Sequence, residues 1–357
     1  MKVLSVIGNR PQFIKAAAVS PLLRAGAEEV LVHTGQHHDD MLSRVFFDEL
    51  GLPSPEVQLG IAGGSNTSQT ARMLAALEPV IDSAVPDVVL VYGDTNSTLA
   101  GALAAVQVGV PVAHVEAGMR SFDRAMPEEV NRVLTDHLSA LLLCPSVVSV
   151  GNLQAEGIAG GLDVGDVMVD VASAVQARAR GRLDLVQAQG VAAGEYLLVT
   201  AHRAGNVDFA GRLSLLVDLL LGLGHEQQVL FPLHPRTRAR LVEFGLFERL
   251  SEGPGILLCE PVGYVELNAL LCNARAVMTD SGGLQKEAYL AGVQCVTLRP
   301  STEWVETVEA GWNTLVDLSL DGALAALVLP RPADRPELYG DGHAGQRVVD
   351  ALLERFG

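Results

Sequence analysis

Residues 280–287 read Asp-Ser-Gly-Gly-Leu-Gln-Lys-Glu and follow directly on the apolar run Ala276-Val277-Met278-Thr279. This pattern predicts a strand that ends in a glycine turn and opens a helix. Gly282 and Gly283 allow the backbone to approach a ligand closely, and the unpaired N–H groups of a helix start, with Ser281 beside them, suit a phosphate or diphosphate. Glu287 lies one helical turn beyond Gly283. Its carboxylate would repel phosphate but can accept hydrogen bonds from the two hydroxyls of a ribose, so the segment reads as a nucleotide site. An ordinary Ser-Gly-Gly turn is the competing reading.

Four acids stand out for proton chemistry: Asp94, Glu116, Glu128 and Glu129. Asp94 and Glu116 each follow an apolar run. Asp94 could also be a turn or cap residue, whereas Glu116, ahead of a glycine turn in His-Val-Glu-Ala-Gly, is harder to explain that way. Glu128 and Glu129 follow Pro127, where helix-start electrostatics is the alternative. Carboxylates gathered in one cleft repel, which lifts some of their pKa values toward the range of proton transfer. Cationic candidates are Arg10, Lys15, Arg132, His202 and Arg203, all near run ends or helix starts. A solvated helix lysine competes at Lys15, and an i, i+4 partnership with Glu128 competes at Arg132. His202 reads either as a capping histidine or as a contact to a diphosphate, and His234 as a turn residue or a ligand contact. The run His37-His38-Asp39-Asp40 is a poor metal site, because adjacent residues on a helix start cannot all face one ion.

The elements that must position these groups follow from the periodicity. Short β-branched runs at 3–8, 30–33, 88–92, 111–115 and 141–144, then 196–200, 229–233, 256–259, 276–279 and 295–298, alternate with amphipathic stretches. Such alternation predicts parallel sheets with crossover helices, which place ligands at the carboxyl ends of their strands. A glycine-rich segment, 157–165, separates five runs from five. The expectation is α/β, two Rossmann-like domains with parallel sheets facing across a cleft: 1–165 with the acids, 166–342 with the glycine turn, and a C-terminal helix at about 343–357 crossing back to the first.

At 357 residues and 49 % hydrophobic, the chain has material for two cores. No uncharged apolar run approaches the ~18 residues of a membrane helix, and the stretch 3–8 reads as a strand rather than a signal-peptide core. A net charge of −17 disfavours nucleic acid, so any anionic ligand needs a local constellation. Cys144, Cys259, Cys272 and Cys295 are widely spaced, as expected of reduced thiols in a cytoplasmic protein.

The motifs occur in a definite order: Gly8-Asn9-Arg10-Pro11-Gln12-Phe13-Ile14-Lys15, Thr34-Gly35-Gln36-His37, Tyr92-Gly93-Asp94-Thr95, His114-Val115-Glu116-Ala117-Gly118, Pro127-Glu128-Glu129-Val130-Asn131-Arg132, Ala201-His202-Arg203 and Asp280-Ser281-Gly282-Gly283. Taken together they resemble the non-hydrolysing UDP-N-acetylglucosamine 2-epimerase family, whose two-domain GT-B fold is shared with nucleotide-sugar glycosyltransferases. The resemblance implies a cofactor-independent isomerase acting on a UDP-sugar and working as a homodimer, and charge, spacing and run length leave no expectation of nucleic acid, metal or membrane. It maps Asp94, Glu116 and Glu128 to catalytic acids and His202 to the histidine beside the diphosphate. It also places Arg10, Lys15 and Arg132 in the active cleft, Ser281, Gly282 and Gly283 on the phosphates, and Glu287 on the ribose. Gln36, Arg203 and His234 match a second, regulatory site of some bacterial members.

Some stretches depart from the family pattern. Ala204-Gly205 stands where the family has Arg-Glu, Trp304-Val305 where it has Arg-Pro, and Lys286 where it has Glu. These variants look like the branch acting on UDP-2,3-diacetamido-glucuronate. A glycosyltransferase, a hydrolysing relative and a UDP-sugar sensor are the other readings.

Overall fold

The computed structural model describes residues 1–36 and 50–357, Arg10 as backbone only. The run at 37–40 and the side chain of Arg10 therefore lie outside the described residues. The chain forms two compact units, one of Met1–Val171 with Glu337–Gly357, the other of Ala172–Pro336. The division falls inside the helix Val167–Ala179.

The first unit carries β1 (Lys2–Ile7), β2 (Glu28–His33), β3 (Val57–Gln58), β4 (Val88–Tyr92), β5 (Val112–Val115), β6 (Leu141–Cys144) and β7 (Gly161–Asp163). They form one parallel sheet in the order β3-β2-β1-β4-β5-β6-β7. The second unit carries β8 (Tyr196–Thr200), β9 (Gln228–Pro232), β10 (Ile256–Cys259), β11 (Ala276–Thr279), β12 (Cys295–Thr297) and β13 (Asn313–Leu315), parallel in the order β10-β9-β8-β11-β12-β13. The expected α/β class with two parallel sheets is what the chain adopts.

Both faces of each sheet are covered, which is why the strands are apolar without a break. In β8, Leu197 and Val199 face one core with Leu216, Leu220 and Met278, while Tyr196 and Leu198 face the other with Leu270, Leu284 and Ala288. In the first unit, Leu4, Val6, Val89 and Val91 pack on Met73, Leu77 and Ala102. The glycine-rich 157–165 segment contains β7, which pairs with β6 as an edge strand.

Each sheet reverses its winding once, between β1 and β4 and between β8 and β11. At these switch points the loops leaving adjacent strands diverge and open a crevice at the carboxyl ends. Residues 8–15 and 93–95 lie at the first, residues 201–206 and 280–283 at the second. None of the described helices is long and apolar enough to cross a membrane.

Candidate active site

In the first unit the chemistry is organised around a glycine. Gly93 ends β4 at φ +64°, and a Cβ there would lie 2.9 Å from Lys15 Nζ and 3.2 Å from Glu116 Oε2. Only glycine lets the backbone ahead of Asp94 lie against that pair. Lys15 and Glu116 form an ion pair with side chains 11 % and 12 % exposed. Glu116 adopts φ +75°, a left-handed conformation costly for a residue with a side chain, and is held there as its own N–H and that of Ala117 donate to the Leu143 carbonyl at 3.0 and 3.1 Å. Strain of this kind, about 1–3 kcal/mol, persists where the surroundings over-determine the conformation and is frequent at functional sites.

Lys15 comes from the helix Arg10–Gly26, which Asn9 caps by accepting from the Gln12 N–H at 3.2 Å. The Gln12 side chain accepts from the Gly8 N–H and donates to the Tyr92 carbonyl, both at 2.8 Å. It thereby ties the end of β1 to the end of β4. Burial pushes the Lys15 ammonium down from 10.5 to about 8; Asp94 opposes this and Arg132 adds to it.

Arg132, on the helix Pro127–Leu138, pairs with Asp94 and with Glu129 at 3.1 Å, not with Glu128. Glu129 is buried and accepts from the Ser121 N–H (2.9 Å), the Ser121 hydroxyl (3.0 Å) and the Phe122 N–H (3.0 Å). It is an anchor for the loop ahead of its own helix. Glu128, one residue earlier, is exposed on the first turn. Asp94, Glu116, Lys15 and Arg132 are thus brought together, and Glu128 stands exposed on the first turn of the helix that carries Arg132. Gln36 accepts from the N–H (3.1 Å) and hydroxyl (2.7 Å) of Ser97, supporting the next helix start.

In the second unit Asp280, fully buried, organises the turn after β8. Its carboxylate accepts from the His202 N–H (3.1 Å), the Arg203 N–H (3.0 Å) and the Asn206 amide (3.1 Å). The His202 ring, 39 % exposed, stacks on His234 with centroids 5.1 Å apart. His234 itself caps the helix Pro235–Glu243 through the Arg236 N–H at 3.2 Å.

Ser281 caps the helix Gly282–Ala291, whose first N–H groups have no partner within the helix. The two glycines differ. A Cβ on Gly282 would run into the Glu303 carboxylate and lie 3.4 Å from Trp304 Nε1, whereas one on Gly283 would meet only Ser281 Oγ at 3.9 Å. A side chain at Gly282 would have to displace the Glu303 carboxylate; Gly283 is the open approach. The Trp304 indole N–H donates to the Gly282 carbonyl at 2.8 Å, and the Lys286 ammonium lies 4.5 Å from the centre of its ring. Two departures from the family pattern, at 286 and 304, therefore touch each other, a cation over an aromatic face. Glu303 pairs with Arg299 at 2.9 Å and Arg203 at 3.6 Å. Glu287 is buried and accepts from the Tyr264 hydroxyl at 3.0 Å.

Among the described residues no three His, Cys, Asp or Glu side chains gather as a metal site. Burial pushes the thiols of Cys144 and Cys295 up to about 12 and that of Cys259 to about 11, which leaves them poor nucleophiles. Sequence reasoning did not assign Asp280, Gln12 or the buried His114 and Asp136. His114 lies in β5 two residues ahead of Glu116, in the same His-Val-Glu-Ala-Gly stretch, which is a legible signal; Asp136 and Asp280 bind groups remote in sequence, and Gln12 binds Tyr92 and Thr98 as well as the nearby Gly8.

Residues 22–353 match the family model described as UDP-N-acetylglucosamine 2-epimerase. A UDP-N-acetylglucosamine 2-epimerase homolog of Methanococcus maripaludis is 44 % identical over 356 residues, covering 99 % of each chain. The UDP-2,3-diacetamido-2,3-dideoxy-D-glucuronate 2-epimerase of Pseudomonas aeruginosa is 46 % identical over 365 residues, covering 99 % of this chain and 100 % of that one. The crystal structure of Methanocaldococcus jannaschii UDP-GlcNAc 2-epimerase in complex with UDP-GlcNAc and UDP superposes with a TM-score of 0.90 at 40 % identity, over 99 % of this chain and 100 % of that one.

Proposed function

Since the chain belongs to the UDP-N-acetylglucosamine 2-epimerase family, we propose that this epimerase interconverts UDP-GlcNAc and UDP-ManNAc by eliminating and re-adding UDP. The hydrogen on C2 has no neighbouring carbonyl to take up charge, so a free carbanion is out of reach. In the elimination the C2 proton passes to a carboxylate, the C–H electron pair becomes the C1=C2 double bond of 2-acetamidoglucal, and the C1–O pair leaves with UDP. Re-addition with protonation on the opposite face of C2 gives the epimer. The route needs carboxylates at C2 and cations or N–H groups at the departing diphosphate. The observation that carries the reading is the meeting of Asp94 and Glu116 with Lys15 and Arg132 at one switch point. We assign proton transfer to Asp94 and Glu116, with Glu128 delivered by its helix. Ser281, Gly283 and His202 are assigned to the diphosphate and Glu287 to the ribose.

The diacetamido-uronate is the second reading. It is supported by the 46 % identity to the Pseudomonas aeruginosa enzyme. Arg203, Arg212 and Arg299, which line a cavity of about 350 Å³, are also suitable donors for a carboxylate. Incubation with each sugar in heavy water, followed by NMR at C2, separates the two. Deuterium at C2 with a manno product and no free sugar is expected from UDP-GlcNAc. Exchange on the uronate alone assigns the second substrate, and release of free sugar from either overturns the epimerase reading.

Lys15 supplies a pH signature. A group depressed to about 8 is an ammonium below that pH and neutral above it. If the charge holds the leaving diphosphate, kcat should fall as pH rises through this value. Lys15→Arg, permanently protonated, should remove that alkaline limb even where it lowers the rate. An unmoved limb in the variant would assign the titration to another group.

A further inference from the structure

His114 is completely buried at the end of β5, and each of its ring nitrogens faces an acceptor. Nε2 lies 2.7 Å from the Gly93 carbonyl oxygen, and Nδ1 lies 2.7 Å from Asp136 Oδ1. A carbonyl can only accept, so Nε2 carries a proton. Asp136 is also surrounded by donors: the Gly118 N–H at 3.1 Å and the Arg120 guanidinium at 2.7 Å reach its second oxygen. A carboxylate taking these contacts is ionised, and Nδ1 must then donate to it as well. Arg120 continues the chain to Glu156 through two bonds of 2.7 Å. Imidazolium, carboxylate, guanidinium and carboxylate alternate, so the set is neutral as a whole. Burial pushes Asp136 up, but His114 and Arg120 outweigh it and hold the acid below its ordinary value.

The two bonds of the ring end at the two segments that carry the reacting acids. Gly93 immediately precedes Asp94, and Asp136 holds Gly118 and Arg120, in the loop that continues from Glu116. We propose that His114, as a doubly protonated imidazolium held by Asp136, is a positioning residue that fixes the separation of Asp94 and Glu116. The ring touches neither substrate nor the proton in flight. It sets the register of one acid against the other at the base of the site, where Gly93 has no side chain to do so and Glu116 is held in a strained conformation. This inference rests on the epimerase reading only for the reaction used to measure it.

Two measurements test it. In the protein labelled with ¹⁵N-histidine, His114 should show protons on both ring nitrogens at neutral pH, the Nδ1 proton shifted downfield by its carboxylate partner. A ring carrying one proton overturns the clamp. In the kinetic arm, His114→Ala should lower kcat for C2 exchange by about 10²-fold, as a misplaced catalytic group does, with KM and UDP affinity nearly unchanged. His114→Gln, whose amide can still donate to the Gly93 carbonyl, should recover part of the loss. An unchanged kcat in His114→Ala, or UDP affinity lost in step with kcat and no recovery in the glutamine variant, overturns the positioning role. Absence of exchange by the parent protein on either sugar would overturn the epimerase reading instead, and the ring protonation would still decide the clamp.

Discussion

Replacing Glu116 by glutamine is expected to lower C2 hydrogen exchange by about 10²–10⁴-fold, the range for removal of a general acid or base, while UDP still binds. Glutamine keeps the length and shape of the side chain but cannot take a proton at working pH. The substitution also strips Lys15 of its ion-pair partner, leaving a buried ammonium with only Asp94 to offset it. Lys15 should then lose its proton at a still lower pH, so the variant's residual activity should decline earlier on the alkaline side. Some stability will be lost as well, because removing one member of a nearly buried pair leaves the other charge uncompensated. UDP titration calorimetry alongside the exchange rate separates these effects. Exchange persisting near the parent rate would remove Glu116 from the chemistry, and UDP affinity falling with it would make Glu116 a binding residue.

Gly283→Val is expected to weaken UDP binding by about 10²-fold, equivalent to ~3 kcal/mol, with little change in melting temperature. Gly283 is exposed, and a Cβ there would meet only Ser281 Oγ, at 3.9 Å, so the fold should accommodate the change. It would project over the N–H groups at the helix start and keep a phosphate from approaching. Gly282→Val is the control with a different cause. There the added carbons enter space held by Glu303 and Trp304, so melting temperature and UDP affinity should fall together. Normal UDP affinity in Gly283→Val would remove this turn from the diphosphate site. A melting temperature lowered as far as in Gly282→Val would show that the open face is packed.

Much of this was legible along the chain because burial in a doubly covered parallel sheet leaves a local record. The runs at 88–92, 141–144, 196–200, 256–259 and 276–279 coincide with strands residue for residue. Three strands were not legible: Val57–Gln58, Gly161–Asp163 and Asn313–Leu315 are sheet edges of two or three residues. An edge so short is specified by the neighbour it pairs with, and its own composition carries little signal. Gly161–Asp163 even reads as part of the glycine-rich divider, although a Cβ on Gly161 would lie 3.0 Å from Leu153 Cδ1 and 3.2 Å from Cys144 Sγ.

The sequence by itself determined the class of the fold, the strand ends at which polar residues gather, and, by resemblance, the family and the identity of the chemically competent groups. Asp94, Glu116 and the 281–283 turn follow strands or open a helix, and Lys15 and Arg132 lie in the second turn of theirs, which is a property of local order. Only the tertiary structure decided which groups meet. It turned Glu129 inward and left Glu128 exposed, gave Arg132 to Asp94, seated Lys15 against Glu116, made Asp280 the anchor of the His202 turn, and placed His114 between Gly93 and Asp136. These are contacts between residues remote along the chain. They are set by strand order and by the demand that every buried charge find a partner, and neither is written in any single stretch of sequence.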